Sequence, residues 1–120
     1  MNDLEQLAVD LTLAGPRAAA RALPVVKKGA DNIMRDWRDR ATGLPHAPAY
    51  PYSITYDAEI TATGAAAEIG PDKERRQGAL GNLIEYGKPG QAPHNFGGQA
   101  ADTEEPRFVE QMGVLGASIL

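Results

Sequence analysis

Residues 16–41 read PRAAARALPVVKKGADNIMRDWRDRA, and this stretch decides the fold because it holds the strongest helical pattern in the chain. Its apolar residues recur at intervals of four, four, three and four positions, which lines one face of a helix. The stripe consists of Ala22, Val26, Ala30, Ile33 and Trp37.

Two residues of this helix leave alternatives open. Pro24 lacks an N–H group and its ring crowds the preceding turn, so we expect either a kink there or a main helix that starts near Leu23. Trp37 ends the stripe. We interpret it as a core residue, with a contact to a partner protein as the alternative, since tryptophan is enriched at binding hot spots.

The sequence after this helix predicts a β-hairpin with one solvated face. Residues 41–51, ATGLPHAPAYP, contain three prolines and form an irregular connector. Residues 52–61, YSITYDAEIT, then alternate cleanly, as a half-buried strand does. A turn at Thr63-Gly64 leads into a second run, AAAEIG, at 65–70. The residues expected on the buried side of the first strand are Tyr52, Ile54, Tyr56, Ala58 and Ile60.

The two ends of the chain give weaker patterns. Residues 3–13 mix helical and alternating apolar spacing before Gly15-Pro16, and we interpret them as a short helix. Near the other end, Thr103 is a predicted N-cap, followed by two acids in the first turn. The stripe of that last helix consists of Phe108, Met112, Leu115 and Ile119.

A further helix is predicted over residues 73–86, with Asp72 as its N-cap, an apolar stripe and two interior glycines that each cost about 1 kcal/mol relative to alanine. The Gly- and Pro-rich residues 88–102 then predict a functional or partner-ordered loop. We therefore expect one α+β domain over 1–120. Its parts are an N-terminal arm or short helix at 1–16, a core at 17–87, a flexible loop at 88–102 and a C-terminal helix at 103–120. The stripe of the 73–86 helix consists of Ala79, Leu80, Leu83 and Ile84.

Length, net charge and composition exclude several classes of protein and of site. A chain of 120 residues is the size of one domain. Its net charge of −4 argues against a protein whose main role is to neutralise phosphates. The absence of cysteine excludes disulfides and thiolate metal sites. The N-terminus carries acids where a signal peptide carries lysines, and no apolar run approaches the roughly 20 residues of a membrane span, so we expect neither export by that route nor insertion.

No pattern in the sequence favours catalysis, so we predict no catalytic residue, no metal and no cofactor. His46 and His94 lie in loops without the clustered ligands of a zinc site. Ser53 and Ser118 lie outside any G-x-S-x-G turn, and phosphate-binding glycine spacings are missing. One residue leaves a question open: Glu85 in GALGNLIEYG, residues 78–87, is either an acid in an apolar pocket or a polar point on a contact surface.

Three features favour an oligomer. A hairpin has open edges that need covering or pairing with another chain. The 88–102 segment is long and pliable, and the uncharged segment VLGASIL at 114–120 is apolar surface that a monomer has to hide.

Five pieces of the chain follow one another between about Ala18 and Leu115: the helix VVKKGADNIMRDWRDRA, the link PHAPAYPYSITYD, the strand end AAEIGPD, the segment GALGNLIEYG, and a loop containing AP before EEPRFVEQM. In this order they resemble the tailed-phage neck or tail-completion proteins. The order of five pieces carries the resemblance, and IEYGK stands where family members have an aromatic-Glu-aromatic-Gly-Thr pattern.

The resemblance implies an α+β fold with a long helix across a small antiparallel sheet. It also implies a structural virion protein that forms a ring or collar, six subunits by analogy with a tail tube, at the head–tail junction. Its partners would be further copies and the neighbouring head-completion, tail-terminator or tail-tube proteins, with DNA passing through as cargo and no membrane. The candidate subunit-interface residues are Ile54, Tyr56, Ala58, Ile60, Glu85, Tyr86, Pro93, His94 and Phe96.

On this hypothesis we expect Glu85→Ala to impair particle assembly more than subunit solubility. Two alternatives stand beside it. One is a small enzyme that uses Glu85 and His94 as an acid–base pair, which requires a closed pocket. The other is a host or phage regulatory binding module with a compact basic patch.

Overall fold

The fold is seen in a computed structural model that describes residues 5–10, 15–62 and 64–119. It confirms the predicted α+β class, with a long helix on a small antiparallel sheet, a short helix and a C-terminal helix. The elements are β1 (Glu5–Asp10), α1 (Gly15–Ala41), a 3₁₀ turn (Tyr50–Ser53), β2 (Ile54–Ile60), β3 (Gly64–Pro71), a second 3₁₀ turn (Gly78–Leu80), α2 (Gly81–Tyr86) and α3 (Phe96–Ile119).

The sheet has three strands in the order β1-β3-β2, and both pairings are antiparallel. The predicted hairpin is confirmed as β2 and β3, in a register that pairs Ile60 with Ala65 and Asp57 with Glu68. One difference concerns Tyr52, which was expected on the buried side of the strand. It lies in the 3₁₀ turn before β2 and is exposed, because the strand begins only at Ile54.

The core lies between the sheet and α1, and α3 packs against α1. The predicted stripe of α1 is buried along its whole length, which also confirms the interpretation of Trp37 as a core residue. On the sheet side, Ile54 from β2 and Ile69 from β3 fill the opposite wall. Phe108 and Met112 of α3 are partly buried against this core, and Leu115 is buried.

The N-terminal segment differs from the expectation of a short helix. Residues 5–10 form β1, which pairs with β3. β3 is a central strand of small residues, so its second edge needs a backbone partner, and pairing satisfies the N–H and C=O groups of both strands. Of the helical and alternating apolar spacings in residues 3–13, the alternating spacing was therefore the one that indicated the observed structure. The remainder of the 3–13 prediction lies outside the described residues.

α1 also settles one alternative at Pro24. The helix runs from Gly15 to Ala41 with Pro24 inside it, so the expectation of a main helix starting near Leu23 was wrong. The side chain of Pro24 is exposed, and burial of Ala18, Ala19 and Ala22 holds the first turns of the helix against the fold. Packing outweighs the one backbone hydrogen bond that the proline removes.

The predicted helix over 73–86 is mostly absent. Only Gly81–Tyr86 forms an α-helix, preceded by a 3₁₀ turn and by turns through residues 73–77. Gln77 has a φ of 63°, a left-handed conformation that interrupts a right-handed helix. Of the predicted stripe, Ile84 is buried and Leu83 is 43% exposed, so the stripe does not act as one face.

The last helix begins seven residues earlier than predicted. α3 starts at Phe96, so Thr103 is not an N-cap, Pro106 lies in the helix interior, and the predicted 88–102 loop is shortened by seven residues. Contacts with α1 explain the difference. Arg40 donates hydrogen bonds to Gln99 Oε1 and Thr103 Oγ1, each at 3.0 Å, and these bonds hold the early turns of α3 against α1.

Candidate functional site

The carboxylate of Glu85 is a buried polar group that accepts hydrogen bonds from three different segments of the chain. Glu85 is 3% exposed, and both of its oxygens accept hydrogen bonds. Oε2 accepts from Trp37 Nε1 at 3.3 Å and from the Tyr50 hydroxyl at 2.9 Å. Oε1 accepts from the backbone N–H of Gly97 at 2.8 Å. One side chain thus links α1, the 3₁₀ turn before β2, α2 and the start of α3.

Each donor has a structural reason to need this acceptor. Trp37 and Tyr50 are buried aromatic residues, whose polar atoms usually find a partner when they leave water. Gly97 is the second residue of α3, and the first N–H groups of a helix have no acceptor within it. A carboxylate is also favoured there by the positive end of the helix dipole.

Gly97 permits this arrangement because it has no side chain. A Cβ atom at residue 97 would lie 2.6 Å from Cη2 of Trp37 and 2.7 Å from Cζ2. The indole ring therefore packs directly on the backbone of the first turn of α3. We conclude that the position of α3 depends on contact between Gly97 and Trp37 as well as on the bond to Glu85.

The backbone around Glu85 is held as firmly as its side chain. The carbonyl of Ile84 accepts from the N–H of His94 at 3.0 Å, and that of Glu85 accepts from the N–H of Asn95 at 3.1 Å. Between them, Lys88 and Gln91 form a short antiparallel bridge. The segment that leads into α3 is therefore fastened to the end of α2.

The alternative that Glu85 is a catalytic acid depends on whether its carboxylate can reach a substrate. A general acid or base must reach a substrate proton, but both Glu85 oxygens are occupied by protein donors and the side chain is enclosed. Among the described residues no hydrogen bond joins the His94 ring to this carboxylate. That ring instead stacks on Phe96, with 4.9 Å between ring centroids.

Not all of the predicted interface residues lie at the surface of the subunit. Ile54 and Glu85 are buried, so neither side chain is available to a neighbour, and we no longer expect Glu85→Ala to act mainly on assembly. Tyr56 and Ala58 are half-buried against α1, while Ile60 is 51% exposed. The other four predicted residues lie around the 87–95 segment: Tyr86, Pro93 and His94 are exposed and Phe96 is half-buried.

The outer edge of β2 has no strand partner in the part of the chain that the structure describes. Hydrogen bonds from Thr61 to Gly64 and from Asp72 to Ser53 mark both ends of the hairpin ladder. In an antiparallel strand, every second residue directs its N–H and C=O groups to the same neighbouring strand. Ser53 and Thr61 bond the β3 side, so the N–H and C=O groups of the even-numbered residues 54–60 point to the open edge. Arg38 donates to the carbonyl of Ile54 from Nε at 3.0 Å and Nη2 at 2.6 Å. This contact covers the beginning of the edge.

A second buried carboxylate joins the two long helices. Glu104 of α3 is 7% exposed and accepts from Asn32 Nδ2 at 3.2 Å. Arg107 also donates to both of its oxygens. The hydrogen bond to Glu104 raises the pKa of Arg107, which stays charged. The sequence pattern predicts Glu104 only as an acid in the first turn of the last helix, so it does not indicate this cluster.

The described residues contain no group of three or more acidic or histidine side chains placed to hold a metal ion. Among the described helices, none combines the length and apolar character needed to span a membrane. Comparisons with protein-family models, with curated proteins and with solved structures found no match to the chain.

Proposed function

We propose that the protein is a structural component of the head–tail junction of a tailed phage, where it forms a ring or collar between the capsid connector and the tail. Its partners are five further copies and the adjacent head-completion, tail-terminator or tail-tube proteins. DNA passes through the ring as cargo. The subunit is made in the host cytoplasm and ends in the virion.

One observation carries the proposal. Four segments that carry the resemblance meet at Glu85: Trp37 comes from the long helix, Tyr50 from the proline-rich link, Glu85 itself from GALGNLIEYG, and Gly97 follows the AP loop. These pieces are loosely defined, so the order that the chain shares with the family needs a physical reason. If the pieces build one buried junction, that junction is the reason. The fold class that the resemblance implies is also the observed class.

The two alternatives gain less support. The acid–base hypothesis needs an accessible Glu85 carboxylate, and that side chain is 3% exposed. The regulatory-module hypothesis needs a compact basic patch, and basic side chains do lie along one side of α1. The same side chains also fit a contact between subunits.

The decisive experiment removes the protein from the phage that encodes it. With a stop codon early in the gene, we expect DNA-filled heads and separate tails in electron micrographs, and few joined particles. Supplying the wild-type chain from a plasmid should restore joined particles, and the protein should be found in them by mass spectrometry. Normal tailed particles without the protein would overturn the proposal.

A matched pair of variants separates assembly from folding in the same assay. Tyr52→Ala removes an exposed aromatic side chain, while Tyr50→Ala removes a buried one. A loss of joined particles with Tyr50→Ala should follow from a reduced amount of folded subunit, measured in the soluble fraction. Tyr52→Ala should leave that amount unchanged, so any effect of this variant on particles reports on a contact surface.

A further inference from the structure

The outer face of the sheet is a concave acidic surface. It carries Asp57, Glu59 and Glu68, whose side chains are exposed on the side of the sheet away from α1. With Gln6 and Thr61 they line a concavity of about 490 Å³ that has no lysine or arginine among its lining residues. Asp57 and Glu68 are directly opposite each other across β2 and β3, a like-charge pairing that is unfavourable without a nearby cation.

The exposed side of the first half of α1 is basic. Its first 16 residues, GPRAAARALPVVKKGA, contain four cations and no acid. All four side chains are exposed: Arg17, Arg21, Lys27 and Lys28. Arg21 donates a hydrogen bond to the Ser118 hydroxyl at 2.7 Å, whereas Lys27 and Lys28 form no ion pair with any described residue.

These two surfaces lie on opposite sides of the molecule. The stripe that contains Val26 packs on the inner face of the sheet, and Lys28 follows Val26 by two positions, which places it on nearly the opposite side of the helix. The basic helix surface and the acidic sheet surface are thus the two outer surfaces of a two-layer structure. Within one chain they cannot meet.

From this arrangement we infer that the acidic sheet face of one subunit binds the basic side of α1 of a second copy. The interface is heterologous, because each subunit uses one surface on each side, and such contacts build closed rings when the rotation between copies closes. A convex helix fits a concave sheet surface, and the opposite charges match. The inference names the subunit contact of the proposed ring, and its role in a ring rests on that proposed function.

The charge arrangement favours a second copy over other occupants. Each copy supplies both the cations that relieve the Asp57–Glu68 repulsion and the carboxylates that pair with Lys27 and Lys28. A nucleic acid would bind only the helix side and would be repelled by the sheet side. Only a partner that has both an acidic and a basic surface can pair with both sides of the molecule, and a second copy of the chain has both.

Two charge-reversal variants test this contact. The sheet variant carries Asp57→Lys, Glu59→Lys and Glu68→Lys, and the helix variant carries Arg17→Glu, Lys27→Glu and Lys28→Glu. In each variant alone, both surfaces have the same sign, so we expect self-association in low salt to weaken by about tenfold or more relative to the wild type. In an equimolar mixture every contact again joins opposite charges, so association should return. Sedimentation velocity over a concentration series measures both effects.

Matched controls keep the charge change but move it elsewhere. Asp102→Lys, Glu105→Lys and Glu110→Lys place the same three reversals on exposed positions of α3, and self-association should stay within about twofold of the wild type. Circular dichroism should show that every variant is folded. If the sheet variant unfolds, the amide variant Asp57→Asn, Glu59→Gln and Glu68→Gln replaces it and should also weaken association.

The outcomes separate the contact from the function. A wild-type chain that stays monomeric in low salt at its highest soluble concentration overturns the inference. So does a mixture that associates no more tightly than its components. Capture of a basic peptide by the sheet face without recovery in the mixture also overturns it, since that face then serves another partner. Recovery in the mixture, with normal tailed particles in the absence of the protein, supports the contact and rejects the proposed function.

Discussion

Glu85 is held by donors from three other segments of the chain, and removing it has a cost that can be stated. Hydrogen bonds to a charged acceptor contribute about 1.5–3 kcal/mol each, and a buried donor left without a partner costs about 1–3 kcal/mol. Glu85→Ala leaves the indole N–H of Trp37, the hydroxyl of Tyr50 and the N–H of Gly97 without this acceptor. The residue is therefore a structural group of the subunit.

We expect Glu85→Ala to lower the free energy of unfolding by about 3–5 kcal/mol, a large part of the total for a domain of this size. Glu85→Gln should cost less, because it keeps the volume and one acceptor oxygen while its NH₂ group meets a donor. Urea denaturation followed by tryptophan fluorescence measures both, since Trp37 is the single tryptophan.

Glu105→Ala is the matched control, because Glu105 is an exposed carboxylate on α3. We expect it to change stability by no more than about 0.5 kcal/mol. Equal losses for Glu85→Ala and Glu105→Ala would show that the three hydrogen bonds contribute nothing specific.

The sequence could not reveal this junction from local patterns. The partners of Glu85 lie 48, 35 and 12 residues away along the chain. A period of 3.6 or 2 residues describes one helix or strand and carries no information on such distant pairs. A usable signal did exist: a buried tryptophan and tyrosine need acceptors, and Glu85 is an acid inside an apolar segment.

Among the elements, α1 was predictable and α3 was predictable only in part. The α1 stripe repeats over five residues that are all buried, so periodicity and tertiary packing agree. For α3, Thr103 and Pro106 gave a typical start signal inside a helix that begins at Phe96. The bonds from Arg40 and the contact of Gly97 with Trp37 come from α1, and packing of this kind overrides local propensity.

Two glycines of α3 give a prediction in which one substitution is the control for the other. Gly97→Ala adds a methyl group within 2.8 Å of three ring atoms of Trp37, so we expect a loss of about 1–3 kcal/mol from overpacking. Gly113→Ala, in the same helix, adds a methyl group with no neighbour within 4 Å. It should stabilise the protein by up to about 1 kcal/mol through helix propensity. Thermal unfolding of both variants measures the difference.

Opposite signs for these two substitutions are the expected result. If Gly97→Ala raised the melting temperature as Gly113→Ala does, the first turn of α3 would have room against the indole ring. The close packing of Gly97 on Trp37 would then not be what positions the helix.

The molecule as a whole depends on one core shared by the sheet, α1 and α3. β2 offers a direct test, because the same strand carries a fully buried isoleucine, Ile54, and an exposed one, Ile60. The two side chains are chemically identical, and only their burial differs. A charge placed at each position therefore measures how far the core extends along the strand.

We expect Ile54→Asp to unfold the chain, because an unpaired carboxylate in the core costs more than about 4 kcal/mol, close to the whole stability of a small domain. Ile60→Asp should cost less than about 1 kcal/mol, because the side chain is half in water. Circular dichroism and hydrogen exchange distinguish the cases: amide protection should disappear throughout α1 and α3 with Ile54→Asp and persist with Ile60→Asp. Protection retained in α3 with Ile54→Asp would mean that the helices fold without the sheet, in which case the elements do not share one cooperative core.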